Sequence, residues 1–155
     1  MKRDRAERIN SEPGRFQSEN YDLALGDKMN MWQAAAKGDV EALIGFLTRG
    51  AHVDVLEGNE ERTPLSCAVL YDQLDAARFL IDNGAQPNVQ DLFGYTPLML
   101  AVMDGNGPMT ELLLEKGADV TIEDLQDPPE TALAKAYRYG REHIIELLKQ
   151  AEAKR

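Results

Sequence analysis

Apolar residues along this chain recur in paired clusters, each with the spacing of one face of an α-helix. The first cluster of a pair is short and contains alanine, as in Leu65, Ala68 and Val69. The second is a longer apolar run, and such runs occur at 43–47, 79–81, 112–114 and 144–148. The pattern predicts pairs of helices joined by a turn, and the small alanine side chains allow neighbouring helices to approach closely.

Two sequence markers repeat at a fixed offset, which predicts a repeated structural unit. A Thr-Pro-Leu triplet at 63–65 returns at 96–98, and the two copies precede the Gly-Ala pairs at 84–85 and 117–118 by the same interval. A related Thr-Ala-Leu lies at 131–133, after a slightly longer connection, and a degraded first copy lies at 29–31. Four units are therefore expected, with approximate bounds 28–56, 57–90, 91–124 and 125–155.

The residues at the ends of the apolar clusters predict where the helices begin and end. Thr63 and Thr96 are expected N-caps, and each is followed by a proline at the first helical position, where a missing N–H breaks no hydrogen bond. The glycines of the Gly-Ala pairs are expected to end the second helices in the left-handed conformation. They are Gly50, Gly84 and Gly117. A loop or β-hairpin finger then leads to the next unit.

This pattern resembles the ankyrin repeat, in which Gly-x-Thr-Pro-Leu is followed by Leu-Leu-x-x-Gly-Ala-Asp-Val. The best copy here runs from 94 to 120, and the resemblance covers roughly residues 28–150. It implies an all-α, ankyrin-type solenoid of about four helix–turn–helix repeats with short loop or β-hairpin fingers. The family's usual His after Thr-Pro-Leu is Ser66 in one copy and Met99 in the other, and the last copy lacks the Pro. In the family this His usually hydrogen-bonds between repeats, so we expect its loss to affect local stability and not the fold. The missing Pro is expected in an end repeat, because terminal repeats face water on one side.

Residues 1–27 precede the repeats and are expected to form a separate arm. They contain 5 Lys or Arg residues and 6 Asp or Glu residues. Two interpretations are open: a flexible tail, or an arm that packs on the first repeat through Phe16, Tyr21, Leu23 and Leu25. The predicted organisation is an N-terminal arm at 1–27 and an ankyrin-repeat domain at 28–155.

Charge narrows the class of partner. The 155-residue chain has a formal net charge of -10 and a pI of about 4.7, so it repels nucleic-acid phosphates and anionic lipids and favours a protein partner with a basic surface. No apolar stretch approaches the length of a membrane helix, and the N-terminus is no secretory signal. The single cysteine, Cys67, excludes an internal disulfide. We therefore expect a cytoplasmic protein, monomeric when unbound, with export by a route that reads other signals left open.

Candidate chemistry is sparse, which favours binding over catalysis. His52 and His143 lie far apart in the repeat register, and Cys67 takes a first-helix position that suits a small buried side chain. His143 and Glu146 offer a histidine and a carboxylate about one helical turn apart, which is too few ligands for a metal site. The sequence predicts no enzyme activity, no cofactor and no metal.

The concave face of a solenoid is its usual binding surface, and the resemblance places it on the fingers and the exposed side of the first helices. The predicted partner-binding residues there are Arg62, Leu70, Tyr71, Leu92, Phe93, Tyr95, Met103, Asp104, Arg138 and Tyr139. Large apolar groups at a solvent-facing tip favour an interaction site. The alternative is that Leu92 and Phe93 pack sideways against the neighbouring finger or the N-terminal arm. Trp32 is expected to be covered by residues 1–27.

Two functions stay open at this level. The first is a protein–protein interaction module or adaptor. The second is a dedicated inhibitor or immunity-type protein that blocks an enzyme with a basic surface, because an acidic field accelerates the capture of basic partners. The extended last finger, at 125–130, is either a further partner contact or the end of the stack.

Overall fold

The structure is a computed structural model that describes residues 29–155. These residues form eight helices: α1 (Met31–Lys37), α2 (Val40–Thr48), α3 (Pro64–Leu70), α4 (Leu74–Asp82), α5 (Pro97–Asp104), α6 (Gly107–Glu115), α7 (Ala132–Arg138) and α8 (Glu142–Ala153). Over this range the fingers contain only two isolated β-bridges, Glu57 with Arg62 and Glu123 with Thr131, and no strand. The predicted all-α fold is confirmed, and the expected arm at 1–27 lies outside the described residues.

Each first helix begins at a side chain that caps its N-terminus. Thr63, Thr96 and Thr131 each accept a hydrogen bond from the backbone N–H three residues later. In the first unit, Asn30 takes this position and forms a capping box with Gln33. The caps predicted at Thr63 and Thr96 are therefore confirmed, and the degraded first copy keeps the same signal in a different residue.

In several units, the turn that follows a helix contains a residue in the left-handed conformation. The predicted glycines Gly50, Gly84 and Gly117 have φ values of 91°, 95° and 89°, as expected for the end of a second helix. Between the helices of the second unit the turn is made by Asp72, at φ 55°. Its carboxylate accepts a hydrogen bond from Asn106 Nδ2 at 2.5 Å. That bond ties the turn to the following unit and offsets part of the cost of a positive φ.

The helices pack in two rows around one apolar core. The first row is α1, α3, α5 and α7, the second row is α2, α4, α6 and α8, and each first helix also packs on the second helix of its own unit. Between the rows, Leu65, Leu80, Leu98 and Leu113 have no exposed surface. The fingers lead into the N-terminal ends of the first-row helices, so stacking of that row brings successive fingers side by side.

Trp32 of α1 is a core residue whose polar atom is satisfied by the first finger (residues 57–62) and the segment before it. Its side chain is buried, and its Nε1–H donates to the carbonyl oxygens of Val55 at 3.2 Å and Arg62 at 3.0 Å. A buried indole usually needs such a partner for its N–H. The cover expected from residues 1–27 falls outside the described residues.

Candidate functional site

Successive fingers are joined through their backbones. The N–H of Leu92, in the middle finger (residues 91–95), donates to the carbonyl oxygen of Glu60 at 2.8 Å. The N–H of Leu125, in the last finger (residues 124–130), donates to the carbonyl oxygen of Phe93 at 3.0 Å. The two donors hold the same position in successive units, and so do the two acceptors. The same bond therefore recurs from unit to unit and fixes the fingers in register.

Gly94 allows the middle and last fingers to approach closely. It has φ 82°, and a Cβ atom at this position would clash with the backbone nitrogen of Leu125. The side chain of Gln90 adds a second link, since its Nε2 donates to the carbonyl oxygens of Gly94 at 2.7 Å and Glu123 at 2.9 Å. The two fingers therefore form a closely packed pair.

A buried aspartate shapes each of these two fingers from within. In the middle finger, Asp91 Oδ1 accepts hydrogen bonds from the N–H groups of Phe93 at 2.9 Å and Tyr95 at 3.0 Å. In the last finger, Asp124 Oδ1 accepts from Gln126 at 3.2 Å and Glu130 at 3.0 Å. Both carboxylates replace the solvent that would otherwise hydrate the backbone of a turn.

The tips of the paired fingers expose three large apolar side chains. Leu92 is 39% exposed, Phe93 is 40% exposed and Leu125 is 70% exposed; we call these three residues the finger patch. Leu92 and Phe93 were predicted from the sequence. Leu125 was missed as a site residue, although it holds the position in the last finger that Leu92 holds in the middle one, and this repeat register is the signal that would have identified it.

A line of contacts runs from the finger patch to the end of α7. The rings of Phe93 and Tyr95 lie 6.0 Å apart between centroids, and Lys135 Nζ lies 4.8 Å from the Tyr95 centroid. Lys135 also forms an ion pair with Glu130, at 3.2 Å. Glu130 in turn pairs with Arg138 at 2.8 Å.

Tyr139 completes this line, because the Arg138 guanidinium lies 5.4 Å from the centroid of its ring. Tyr139 is exposed and follows the last residue of α7. Four of the predicted residues are thus connected: Phe93, Tyr95, Arg138 and Tyr139. The connection depends on Lys135 and Glu130, which the sequence did not single out.

Lys135 and Asp124 form a buried ion pair beneath the fingers. Burial raises the pKa of Asp124, but hydrogen bonds from Lys135 and from the Glu130 and Gln126 amides outweigh it and hold the pKa below its usual value. Burial likewise lowers the pKa of Lys135, and hydrogen bonds to Asp124 and Glu130 outweigh it and raise that pKa. Both groups are therefore charged at neutral pH.

The other predicted residues lie in different surroundings. Arg62 is half-buried, pairs with Glu60, and places its Nε 3.5 Å from Asp91 Oδ2, so it links the first finger to the middle finger. Leu70 is half-buried against the core, and Met103 is also half-buried.

Tyr71 and Asp104 are exposed at the C-terminal ends of α3 and α5. Among residues 29–155, no hydrogen bond, ion pair or ring contact joins either side chain to the finger patch. They therefore stand apart from the line of contacts that ends at Tyr139.

Titratable groups outside this network show little organisation for chemistry. Burial raises the pKa of the Cys67 thiol to about 11, so the thiolate that would act as a nucleophile is scarce at neutral pH. His52 Nδ1 accepts the backbone N–H of Asp54 at 3.2 Å, which is a local turn contact. In the described part of the chain, no three His, Cys, Asp or Glu side chains are grouped to hold a metal ion. No helix of residues 29–155 is long and apolar enough to cross a membrane.

Comparison with known proteins gives the same repeat. The family model of ankyrin repeats, in three copies, matches residues 31–124. Human transient receptor potential cation channel subfamily A member 1 is 35% identical over 100 residues, which is 63% of this chain and 9% of that protein. The 26S proteasome non-ATPase regulatory subunit 10 of Dictyostelium discoideum is 46% identical over 61 residues, or 39% of this chain and 26% of that protein. Human inversin is 36% identical over 94 residues, or 61% of this chain and 9% of that protein. The chain thus spans about a quarter or less of the length of each of these relatives.

Proposed function

The chain belongs to the ankyrin-repeat family, and we propose that it binds a partner protein through the finger patch and the neighbouring ends of the first helices. Ankyrin repeats are protein–protein interaction modules. One observation supports this surface above others: two fingers locked in register expose Leu92, Phe93 and Leu125 beside each other. The proposal assigns no reaction to the chain.

The exposure of these side chains is not required by the core. The core already contains fully buried leucines between the helix rows, and the finger shape depends on Gly94 and the buried aspartates, not on an apolar tip. Adjacent exposed apolar side chains on a fixed backbone lose little conformational entropy when a partner covers them. This favours the finger patch as the centre of an interface, since such centres are apolar and contain aromatic residues.

The proposed rim consists of predicted residues around that centre. Tyr95, Arg138 and Tyr139 follow the line of contacts to the end of α7, and Arg62 borders the middle finger. The outer part of the proposed surface consists of Tyr71 and Asp104 at the C-terminal ends of α3 and α5, apart from that line of contacts, with the half-buried Leu70 and Met103 beside them. Tyr and Arg are common among residues that dominate binding energy.

The partner we propose has a basic surface. The chain carries a net charge of -10, and exposed carboxylates at Glu123 and Asp127 lie directly before and within the last finger, close in sequence to Leu125. Complementary charge raises the association rate more than it raises final affinity. The chain has a single cysteine, Cys67, which is free, and this suits a reducing compartment. We therefore place this encounter in the cytoplasm.

An affinity capture tests the proposal. Tagged wild-type protein is exposed to a lysate of the source cells beside a Leu92→Ser, Phe93→Ser, Leu125→Ser variant, and bound proteins are identified by mass spectrometry. The matched control is Ile44→Ser, which removes an exposed apolar side chain from α2, in the other helix row. We expect the main partner with wild type and with Ile44→Ser and not with the patch variant. Equal capture by all three proteins would refute the proposal that the finger patch binds the partner.

The high negative charge also supports a second candidate, a dedicated inhibitor of an enzyme with a basic cleft. The two candidates differ in how binding depends on salt. For an inhibitor that captures a basic cleft, the association rate should fall steeply as ionic strength rises. A shallow dependence would favour an adaptor that binds mainly through apolar contacts.

A further inference from the structure

A fully buried lysine lies beneath the paired fingers. Lys135 occupies the position in α7 that Leu100 holds in α5, counted from the threonine that caps each helix, and its side chain has no exposed surface. A buried charge is costly unless it is paired and hydrogen-bonded. A lysine in a position that otherwise suits leucine therefore requires a compensating arrangement, and the last finger provides it.

The ammonium group joins the two ends of the last finger. Its Nζ pairs with Asp124, the first residue of the finger, and with Glu130, the last, at 3.2 Å from the latter. The second oxygen of Asp124 accepts the N–H groups of Gln126 and Glu130. One cation thus links the two ends of the last finger. Leu125 lies between these ends in the sequence and is 70% exposed.

The same cation also contacts the middle finger. Nζ lies 4.8 Å from the centroid of the Tyr95 ring, a distance at which an ammonium is attracted to an aromatic ring. Tyr95 packs near Phe93, and the carbonyl oxygen of Phe93 accepts the N–H of Leu125. Lys135 is therefore connected to both fingers of the pair without reaching the surface.

We propose that Lys135 is a positioning residue for the finger patch: by clamping both ends of the last finger against Tyr95, it sets where Leu125 lies beside Phe93. Its consequence for binding rests on the proposed function, whereas the clamp itself does not. Lys135 touches no partner and acts through the backbone bond from Leu125 to Phe93.

The length of the last finger explains why this finger needs the clamp. The first finger closes with a backbone bridge between Glu57 and Arg62, and the middle finger closes with the bonds to Asp91 Oδ1. The last finger has both kinds of contact, a bridge between Glu123 and Thr131 and the bonds to Asp124 Oδ1, and it differs from the other two in length. The last finger belongs to a connection two residues longer than the one before it, and a longer loop loses more conformational entropy when it is fixed. A charged contact buried at its base opposes that loss.

Hydrogen–deuterium exchange of the whole chain tests the clamp directly. In Lys135→Met, we expect the amides of Leu125, Gln126 and Glu130 to exchange about 100-fold faster than in wild type, because a buried ion pair has lost its cation. The amide of Leu92, which makes the equivalent bond in the middle finger, should change by less than about threefold. Uniform acceleration of all amides, or no acceleration in the last finger, would overturn the proposal.

Two further variants control for a failure to fold and for the loss of a lysine elsewhere in the chain. If Lys135→Met alone fails to fold, a Lys135→Met, Asp124→Asn, Glu130→Gln variant removes the stranded carboxylates while keeping oxygen acceptors for the finger amides. We expect the same local acceleration in that variant. Lys149→Met is the matched control, since it removes an exposed lysine from α8 and should leave every finger amide unchanged.

A binding measurement connects the clamp to the patch. The probes are short peptides selected on wild type from a random display library and retained only if Leu92→Ser, Phe93→Ser abolishes their binding. We expect Lys135→Met to weaken the binding of these peptides at least tenfold, which corresponds to roughly 1.4 kcal/mol of binding free energy. The affinity of Lys135→Arg should be closer to that of wild type. Unchanged affinity in a variant with a loosened finger would overturn the positioning role. If no peptide depends on Leu92 and Phe93, the proposed function fails, and the exchange data still decide whether the clamp exists.

Discussion

The middle and last fingers share the same kinds of backbone contact but have different charged partners. Both begin with a buried aspartate that accepts backbone N–H groups of its own finger, and each donates one backbone bond to the finger before it. Asp91 faces a half-buried Arg62 that also pairs with Glu60. Asp124 faces a fully buried Lys135. The register is therefore set by the backbone, and the charge partner differs with the neighbours that each finger has.

The two fingers also differ in the neighbours that hold them in place. The middle finger has a neighbour on each side, at Glu60 and at Leu125, so its tip is partly covered. Within the described residues, no finger covers the far side of the last one, and Leu125 is correspondingly more exposed than Leu92. The last finger instead depends on the helix below it, through Lys135. Substitutions in the two fingers test this contrast, from the largest expected effect to the smallest.

Replacing Gly94 should disrupt the contact between the two fingers most strongly. Gly94→Ala combines a positive φ with a Cβ placed against the Leu125 nitrogen, and we expect a loss of about 3–4 kcal/mol in unfolding free energy. Gly117→Ala is the control, because Gly117 has a similar φ and open space around it, so only the conformational cost of about 1–2 kcal/mol applies. Urea unfolding measures both. Equal losses would show that the close approach of the fingers contributes nothing.

Neutralising the two aspartates should have unequal effects. Asp124→Asn removes one carboxylate from a fully buried lysine, and we expect a loss of about 2–3 kcal/mol. Asp91→Asn leaves Arg62 partly exposed and paired with Glu60, so we expect about 1 kcal/mol or less. In both variants the remaining amide oxygen can still accept the finger N–H groups. Chemical unfolding of the two variants under identical conditions provides the comparison, and a larger loss for Asp91→Asn would reverse our interpretation.

Acid should remove the contribution that the charge of Asp124 makes to the stability of the fold. Its folded pKa lies below the usual value, so its charge stabilises the fold above the unfolded pKa, about 3.9, and this contribution is lost as the pH falls through the folded pKa. The stability difference between wild type and Asp124→Asn should be constant from about pH 7 to pH 5 and shrink below about pH 4. Unfolding titrations across this range test it. A difference that persists undiminished in strong acid would mean that packing, and not charge, is what Asp124 supplies.

Shortening the finger patch should leave stability almost unchanged. Leu125→Ser removes a side chain that is largely in solvent, and we expect a change within about 0.5 kcal/mol. Leu92→Ser should cost slightly more, because that side chain is less exposed than Leu125. Thermal unfolding checks both variants. A loss of about 2 kcal/mol or more, as for a core leucine, would identify the patch as part of the core and remove the main argument for binding.

The sequence was sufficient to predict the fold because its signals are local. Thr63 and Thr96 cap helices as predicted, and the left-handed glycines lie where the repeat spacing places them. Caps and glycine turns depend on the backbone of a few neighbouring residues. A repeat of nearly constant length then carries each local feature to the next unit.

The site could be predicted only in part, because burial depends on contacts between units. Phe93 and Tyr139 are exposed as expected, whereas Leu70 and Met103 are half-buried. Lys135 resembles an ordinary surface lysine in the sequence. Its burial becomes understandable only when Asp124 and Glu130, from the preceding finger, are seen to surround it.

The dissociation constant of the captured partner tests the central claim most directly. It should be measured at one ionic strength for wild type, for the Leu92→Ser, Phe93→Ser, Leu125→Ser variant and for Ile44→Ser. Loss of a central apolar cluster typically removes about 2 kcal/mol or more of binding free energy, so we expect a complex at least about 30-fold weaker for the patch variant, which is that energy expressed as a ratio. Ile44→Ser should remain within about threefold of wild type. A patch variant that is folded and binds as tightly as wild type would contradict the account.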